Sequence, residues 1–300
     1  MSFEEKYIKS YDGELLYARE YICEKPQGVI ILTHDLREHS GLYDDFAQKM
    51  QANFNVFCYD LRAHKNSAKD PFGTYEKDFF KDCLRDLIFI NKYLNKKYNL
   101  PITNIAVGFG GVILTRALQF INDSSLNVII GMPYDKLKLH VLTLRFTTKF
   151  KIMFFSKSSE AKMTNKYLNH LYSHKFLDKN FQSTNVDYIE KIKADKFCNF
   201  NLSANILNSC FRGEYQTDLV KNLSKINKDT KFLFISGEFD TVTKFNDSTK
   251  QFINLLYKLG IKNVDNWILK DMRHNVLNET NTNIVIDDLT NFILEKTKKC

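Results

Sequence analysis

Glycine and proline are scarce in this chain, with 11 glycines and 4 prolines among 300 residues. This scarcity excludes a collagen-like repeat and a proline-rich architecture. It also makes the position of each glycine informative, because glycine is favoured at tight turns and at close backbone approaches. Hydrophobic residues make up 44% and charged residues 26% of the chain, so a disordered chain is excluded and a full core can form.

Paired cysteines and long apolar runs are lacking as well. The cysteines have neither a CxxC pair nor metal-ligand spacing, so we predict no disulfide framework, no metal and no cofactor. They are Cys23, Cys58, Cys83, Cys198, Cys210 and Cys300. The first residues lack the apolar stretch of a secretory signal, and no run approaches the roughly 20 apolar residues of a membrane span. We therefore expect a cytoplasmic protein with reduced thiols.

The charge balance is basic but diffuse. The chain has 43 Lys+Arg against 35 Asp+Glu, a net charge of +8. The basic residues are spread along the sequence, and RNP-like and zinc-finger patterns are lacking, so we expect no nucleic-acid partner. Residues 141–155 mix large apolar residues with Arg and Lys. A helix packed on the core is the simpler interpretation. A lipid-facing surface with weak peripheral contact to anionic membranes is the alternative.

Short apolar runs alternate with longer helical patterns along the chain. Predicted strands cover 28–33, 55–59, 104–107, 127–130, 231–235 and 266–269, and predicted helices cover 42–51, 79–96, 247–259 and 284–296. This alternation predicts an α/β protein with a mostly parallel central sheet and helices on both faces. Residues 134–215 have helical patterns without a clear strand. We predict a core of residues 1–133 and 216–300 with a helical lid insertion over 134–215.

Five segments at the ends of predicted strands carry unusual residues. They read HDLREHSGLY (34–43), YDLRAHKNS (59–67), AVGFGG (106–111), FISGEFD (234–240) and MRHNVLNE (272–279). In this order they resemble the monoacylglycerol lipase and lysophospholipase branch of the α/β-hydrolases, a serine aminopeptidase-type group. The corresponding patterns of that branch are HGxxEHSxRY, YDxRGHGxS, GHSMGG, SGxxDPV and RHExLNE. The resemblance spans nearly the whole chain.

The resemblance implies an α/β-hydrolase fold and a site that cleaves a small acyl ester or lysolipid. In that fold a nucleophile on a sharp turn is followed by an acid and then by a histidine. Asp240 and His274 match the acid and the histidine. Leu36 and Phe109 match the residues whose backbone N–H groups form the oxyanion hole. These residues are the first candidates for a functional site.

The loop after the first predicted strand adds His34, Asp35 and His39 as site-loop candidates. His39 and Ser40 match residues that brace this loop without reacting. Asp35 stands where the family pattern has a glycine. A carboxylate beside an oxyanion hole repels the negative charge that the hole has to stabilise, so Asp35 is expected to impair ester chemistry.

The nucleophile of the pattern is lacking. Gly108 stands at the serine position, and the chain has no Ser, Cys or Asp between Ile105 and Thr115. Glycine has no side chain that could form an acyl-enzyme. A substitution made to trap a substrate complex would explain Gly108 alone, whereas natural loss also explains the other departures. These departures are Asp35, Ala63, Lys65, Ala106, Thr241 and Asn275.

Two functions remain open at this point. The first is a catalytically silent homologue, a pseudoenzyme, that binds an acyl ester or lipid. The second is an active carboxylic-ester hydrolase in which Asp240 and His274 activate water without a serine. The first is favoured, because the losses cluster where the reaction would occur.

Overall fold

The computed structural model describes residues 3–69, 71–135 and 139–298; Cys300 and residues 136–138 of the predicted insertion lie outside them. The strands are β1 (Glu4–Lys9), β2 (Leu15–Tyr21), β3 (Val29–Thr33), β4 (Asn55–Tyr59), β5 (Ile102–Val107), β6 (Ser124–Ile130), β7 (Phe232–Gly237) and β8 (Val264–Leu269). They form one sheet in the order β1-β2-β4-β3-β5-β6-β7-β8. Strands β3 to β8 pair in parallel, whereas β1 and β2 are antiparallel to their neighbours. The predicted α/β fold is therefore confirmed.

The helices lie on both faces of this sheet. They are α1 (Asp44–Met50), α2 (Phe79–Tyr98), α3 (Phe109–Ala117), α4 (Leu139–Phe154), α5 (Lys162–Ser173), α6 (Val186–Ala194), α7 (Ala204–Thr217), α8 (Val220–Leu223), α9 (Asp247–Lys258) and α10 (Thr282–Thr297). Alternate residues of β3 divide between two apolar clusters: Ile31 packs with α2, α3 and α9, and Ile30 packs with α1 and α10. Because β3 is covered on both faces, its apolar run is continuous.

Each predicted strand and helix overlaps an observed one, whereas the β1–β2 hairpin is not predicted from the sequence. In β1 only Ile8 is buried, and the other residues are exposed or half-buried. An edge strand of this kind has no apolar run and resembles a loop in the sequence. Helix α2 has the predicted apolar face, on which Phe79, Cys83, Leu87 and Ile90 are fully buried. Burial of each of the Phe, Leu and Ile side chains contributes about 1.5–3 kcal/mol.

Helices α4 to α7 lie between β6 and β7, within the predicted insertion. Among its described residues, the only β-pairing is a single bridge between Glu160 and Ser203. The division of the chain into core and lid stays a prediction. Helix α4 buries Val141 and Leu144 against the rest of the protein, while Phe146 is 71% exposed. The helix therefore has both a packed face and an apolar face that no described residue covers.

None of the described helices is long and apolar enough to cross a membrane. The predicted cytoplasmic location stays a prediction.

Candidate active site

The candidate residues meet at the carboxyl ends of the parallel strands. Asp35 follows β3, Gly108 follows β5, Asp240 lies in the loop after β7 and His274 in the loop after β8. Parallel strands point the same way, so the loops that follow them share one edge of the sheet, where ligands bind in this class of fold. The sequence order of the motifs thus becomes a spatial cluster.

Asp240 and His274 form a buried pair. Both residues have no exposed surface, and Asp240 Oδ1 lies 3.1 Å from His274 Nδ1. The same oxygen accepts a hydrogen bond from the N–H of Val242 at 2.9 Å, which fixes the carboxylate. The contact therefore holds the imidazole in one orientation, with Nε2 directed away from Asp240.

Two glycines that were not among the predicted site residues make room for His274. Gly131 follows β6 directly with φ 61°, and a Cβ there would lie 2.6 Å from His274 Nδ1. Gly237 ends β7, where a Cβ would overlap the carbonyl oxygens of Met272 and Arg273. The available signal was a glycine at the end of a predicted strand in a chain with few glycines.

Gly108 forms the sharp turn between β5 and α3. Its backbone has φ 52° and ψ −120°, a conformation that only glycine adopts without strain. Its N–H donates to the carbonyl of Ile130 at 2.8 Å. Gly110 lies so close to β3 that a Cβ would be 2.6 Å from the carbonyl oxygen of Thr33. The turn therefore has the strained geometry and close packing of a nucleophile elbow.

The carboxyl group of Asp35 occupies the space above Gly108. A Cβ at Gly108 would overlap the carboxyl carbon and both oxygens of Asp35. Asp35 Oδ1 accepts hydrogen bonds from the N–H of Leu36 at 2.7 Å and from the N–H of Phe109 at 2.6 Å. Asp35 Oδ2 lies 3.5 Å from His274 Nε2. The two amides that the sequence predicts as an oxyanion hole thus converge on an oxygen of the protein itself.

These contacts stabilise a charged triad of Asp35, His274 and Asp240. Burial opposes ionisation of Asp35, but His274 and the amides of Phe109 and Leu36 outweigh it and hold the pKa of Asp35 below its ordinary value. Burial also opposes protonation of His274, but the two carboxylates raise its pKa to about 10. At neutral pH, His274 therefore keeps both ring protons.

Two buried histidines hold the loop that carries Asp35. His34 Nε2 accepts the N–H of Leu61 at 2.9 Å, so its Nδ1 donates to the carbonyl of Asp35 at 2.6 Å. His64, which was not a predicted candidate, accepts the N–H of Arg37 at 3.0 Å. Burial lowers the pKa of His34 and of His64 to about 3, so both stay neutral. These contacts fit positioning groups rather than proton carriers.

Glu38 connects the loop that carries Asp35 with the loop that carries His274 and Asn275. Its carboxylate accepts the N–H of Asp35 at 3.1 Å and the side-chain amide of Asn275 at 2.9 Å, and it bonds the hydroxyl of Tyr43. Burial and the neighbouring Asp35 raise its pKa to about 7. Asn275 stands where the family pattern has a glutamate, and an amide there donates to Glu38 where a carboxylate would repel it.

His39 connects the loop to the insertion. Its Nδ1 accepts the N–H of Gly41 at 3.1 Å, so its Nε2 donates to Asp195 at 2.8 Å. Among the described residues, His39, Asp195 and Cys198 form the one cluster with ligand atoms close enough to hold a metal ion. The Nζ of Lys65 lies 3.3 Å from His39, and this cation together with the Nε2 proton opposes a metal ion there. The contacts are those of a hydrogen-bonded brace.

A largely apolar cavity of about 110 Å³ opens above Asp35 and Gly108. Its walls come mainly from the insertion and include Leu168, Tyr172, Leu202, Leu207, Phe211 and Glu214. Burial and the nearby Asp135 raise the pKa of Glu214 to about 8, so this carboxyl is mostly neutral at pH 7. The cavity can therefore hold a small, mainly apolar molecule against the site.

The comparisons with known proteins agree with this architecture. The family described as serine aminopeptidase, S33, matches residues 24–281. A carboxyl esterase from Bacillus coagulans, solved with glycerol, is 18% identical, with 98% of this chain and 97% of that chain covered and a TM-score of 0.85. A lipase in an open form is 16% identical, with 99% and 100% covered and a TM-score of 0.86.

A soluble variant of monoglyceride lipase from Saccharomyces cerevisiae, solved with a substrate analogue, is also similar. It is 15% identical, with 100% of this chain and 97% of that chain covered and a TM-score of 0.79. At these identities the likeness establishes the fold alone. No curated protein sequence matches the chain significantly.

Proposed function

Because the chain belongs to the serine aminopeptidase S33 family of α/β-hydrolases, we propose that it is a monoacylglycerol lipase- or lysophospholipase-like homologue that is silent as an ester hydrolase. We propose further that it binds an acyl ester or lipid in the cavity above Asp35. The observation that carries this proposal is the double hydrogen bond from Leu36 and Phe109 to Asp35 Oδ1.

Ester hydrolysis needs two groups that this arrangement withholds. A nucleophile at position 108 is lacking, since glycine has no side chain. The amides that would stabilise a tetrahedral oxyanion already bond a full negative charge. Removal of one such donor from an active hydrolase costs about 10²–10³ in kcat, and here both are occupied. A substrate carbonyl can reach these amides only after Asp35 has moved.

The second candidate, water activation by Asp240 and His274, agrees less well with the charges. A general base has to be unprotonated before it can take a proton from water. His274 lies between two carboxylates, which raise its pKa to about 10. It is therefore a proton donor at neutral pH. This leaves ligand binding without ester turnover as the better-supported proposal.

An ester assay on purified protein tests the silent function. We expect that 4-nitrophenyl butyrate and 1-decanoylglycerol are hydrolysed no faster by the wild type than by His274→Ala. A fluorophosphonate probe should leave the protein unlabelled. Turnover of either ester that disappears in His274→Ala would contradict the proposal.

A binding assay tests the ligand. Titration calorimetry with 1-decanoylglycerol below its aggregation concentration should detect saturable binding to the wild type. Leu168→Glu, which places a charge in the cavity wall, should weaken it at least about tenfold. Leu177→Glu is the matched control, because Leu177 is fully exposed. Equal binding by both variants would mean that the ligand binds outside this cavity.

The exposed face of α4 supports a further proposal of weak contact with anionic membranes. Phe146, Met153 and Phe154 are each at least 60% exposed, and the exposed Lys149 adds positive charge. Flotation with phosphatidylglycerol vesicles at low salt should recover the wild type and lose Phe146→Ser/Phe154→Ser. Failure of the wild type to float would refute the contact.

A further inference from the structure

Asp35 and Gly108 both depart from the residue types that the family pattern places at their positions. The pattern has glycine at position 35 and serine at position 108, whereas this chain has a carboxylate at 35 and glycine at 108. The carboxylate fills the space that a side chain at 108 would need. One oxygen bonds two backbone amides, and the other faces His274 Nε2 at 3.5 Å. The side chain that faces His274 Nε2 thus comes from position 35 and not from position 108.

We propose that Asp35 is a nucleophile toward a saturated carbon and that the substrate class is an epoxide with a short apolar chain. This goes beyond the proposed function, since it assigns a different reaction to a site that is silent toward esters. Aspartate carboxylates act as nucleophiles in other enzymes, and a fixed, ionised carboxylate beside an acid–base histidine meets that requirement.

The occupied amides decide which electrophile can react. Attack on a carbonyl builds negative charge on the substrate oxygen, and that oxygen would need the amides that Asp35 Oδ1 occupies. Displacement at a saturated carbon places the charge on the leaving oxygen instead. The arrangement that blocks ester hydrolysis therefore leaves epoxide opening unhindered.

In the first step Asp35 Oδ2 attacks an epoxide carbon. A carbon–oxygen ester bond forms to Asp35, and the ring carbon–oxygen bond breaks with its electron pair passing to the ring oxygen. Tyr172 lines the same cavity, and Thr241 Oγ1 bonds its carbonyl at 2.7 Å. Burial and nearby carboxylates keep the pKa of its phenol above the ordinary value, so the phenol carries a proton to donate to the ring oxygen.

In the second step water hydrolyses the ester on Asp35. Alkylation removes the Asp35 charge, so His274 loses one of the two carboxylates that raise its pKa, releases a proton to solvent and becomes a base. It takes a proton from water, whose oxygen adds to Asp35 Cγ. The oxyanion forms on Oδ1, where the amides of Leu36 and Phe109 already point.

Collapse of this intermediate breaks the bond from Cγ to the alkyl oxygen, and His274 returns its proton to that oxygen. The acid formed at Asp35 releases its proton to the phenolate of Tyr172, and His274 regains a proton from solvent. The sum is epoxide plus water to diol, with no oxidant or reductant.

Trapping the covalent intermediate tests the assignment. His274→Gln incubated with 1,2-epoxyhexane should gain the mass of one epoxide, and peptide mapping should place it on Asp35. Asp35→Asn/His274→Gln should gain nothing. Asp229→Asn/His274→Gln, which changes an exposed carboxylate outside the site, should react like His274→Gln. An adduct on another residue would overturn the proposal.

A single-turnover experiment in ¹⁸O-water needs no variant. Excess wild-type protein should convert 1,2-epoxyhexane to a diol without ¹⁸O, because the new hydroxyl oxygen comes from Asp35, and ¹⁸O should appear in Asp35. A first-turnover diol that carries ¹⁸O would mean direct attack by water and would overturn the proposal. Absence of both adduct and diol would overturn it as well. Neither result bears on ester hydrolysis, which the assay of the proposed function decides separately.

Discussion

The two halves of the candidate site keep the family pattern to different degrees. In the late-strand half, Asp240 and His274 form the buried contact that the sequence predicts. In the early-strand half, Asp35 and Gly108 depart from the pattern at both positions. The same protein therefore has an intact acid–histidine pair facing an altered partner.

The altered half nevertheless has specific contacts. Asp35 is only 17% exposed, and each of its carboxylate oxygens has a specific neighbour. The difference between the halves supports the proposal that one reactive group has replaced another, and variants can now test it.

The largest effect is expected from restoring the early-strand half. Gly108→Ser/Asp35→Gly frees the amides and supplies a hydroxyl near His274, so its hydrolysis of 4-nitrophenyl butyrate should exceed that of Gly108→Ser by about 10²-fold or more. Gly108→Ser alone should also lose stability, because its Cβ overlaps the Asp35 carboxyl group. Full activity in the single variant would mean that Asp35 leaves the amides easily.

A pH series tests whether the two halves share one charge network. The folded-state pKa of His274, about 10, is raised above the ordinary value near 6.5, so its stabilisation is complete below pH 6.5 and disappears as pH rises through 10. Urea unfolding should therefore give a difference between wild type and His274→Gln that shrinks by a few kcal/mol, on the order expected from linkage, over that range. If the difference in the free energy of unfolding stayed constant over this pH range, the carboxylates would not raise the pKa of His274.

Gly131→Ala tests the late-strand half alone. The variant should lose about 2–4 kcal/mol in the free energy of unfolding, from left-handed backbone strain and from overlap with His274. Gly260→Ala is the matched control, since it has φ 85° but its Cβ would come no closer than 3.7 Å to Lys228. Equal losses in the two variants would mean that Gly131 does not make room for His274.

The smallest change in stability is expected at two positions where the family pattern has glycine and this chain has alanine. Ala63 keeps a left-handed φ of 62°, so Ala63→Gly should stabilise the protein by about 0.5 kcal/mol after the cost of glycine flexibility. Ala106 lies in β5, and Ala106→Gly should destabilise it by about 0.5–1 kcal/mol. Thermal unfolding measures the stability of both variants. Changes of the same sign in the two variants would contradict the predicted backbone strain at Ala63.

The sequence predicted the sheet because buried parallel strands are continuous apolar runs, as in β4. It missed β1, whose exposed residues have no such run. It named Asp240, His274, Leu36 and Phe109 from motif order, and it noted Asp35 as a misplaced charge.

Sequence order could not reveal that Asp35 reaches both amides, because that depends on the backbone of two loops distant in the chain. The scarcity of glycine marks Gly131, but its close approach to His274 and the contact of His64 with Arg37 are purely spatial, so the sequence could not reveal them.

The proposals for this site depend on one structural claim, that Asp35 occupies the oxyanion-hole amides. The most direct measurement compares the ¹H–¹⁵N spectra of the wild type and Asp35→Ala. Leu36 and Phe109 donate short hydrogen bonds to a carboxylate, so their amide protons should lie far downfield in the wild type and move upfield in the variant more than other amides. Amide resonances of Leu36 and Phe109 that stay unchanged in Asp35→Ala would contradict the claim.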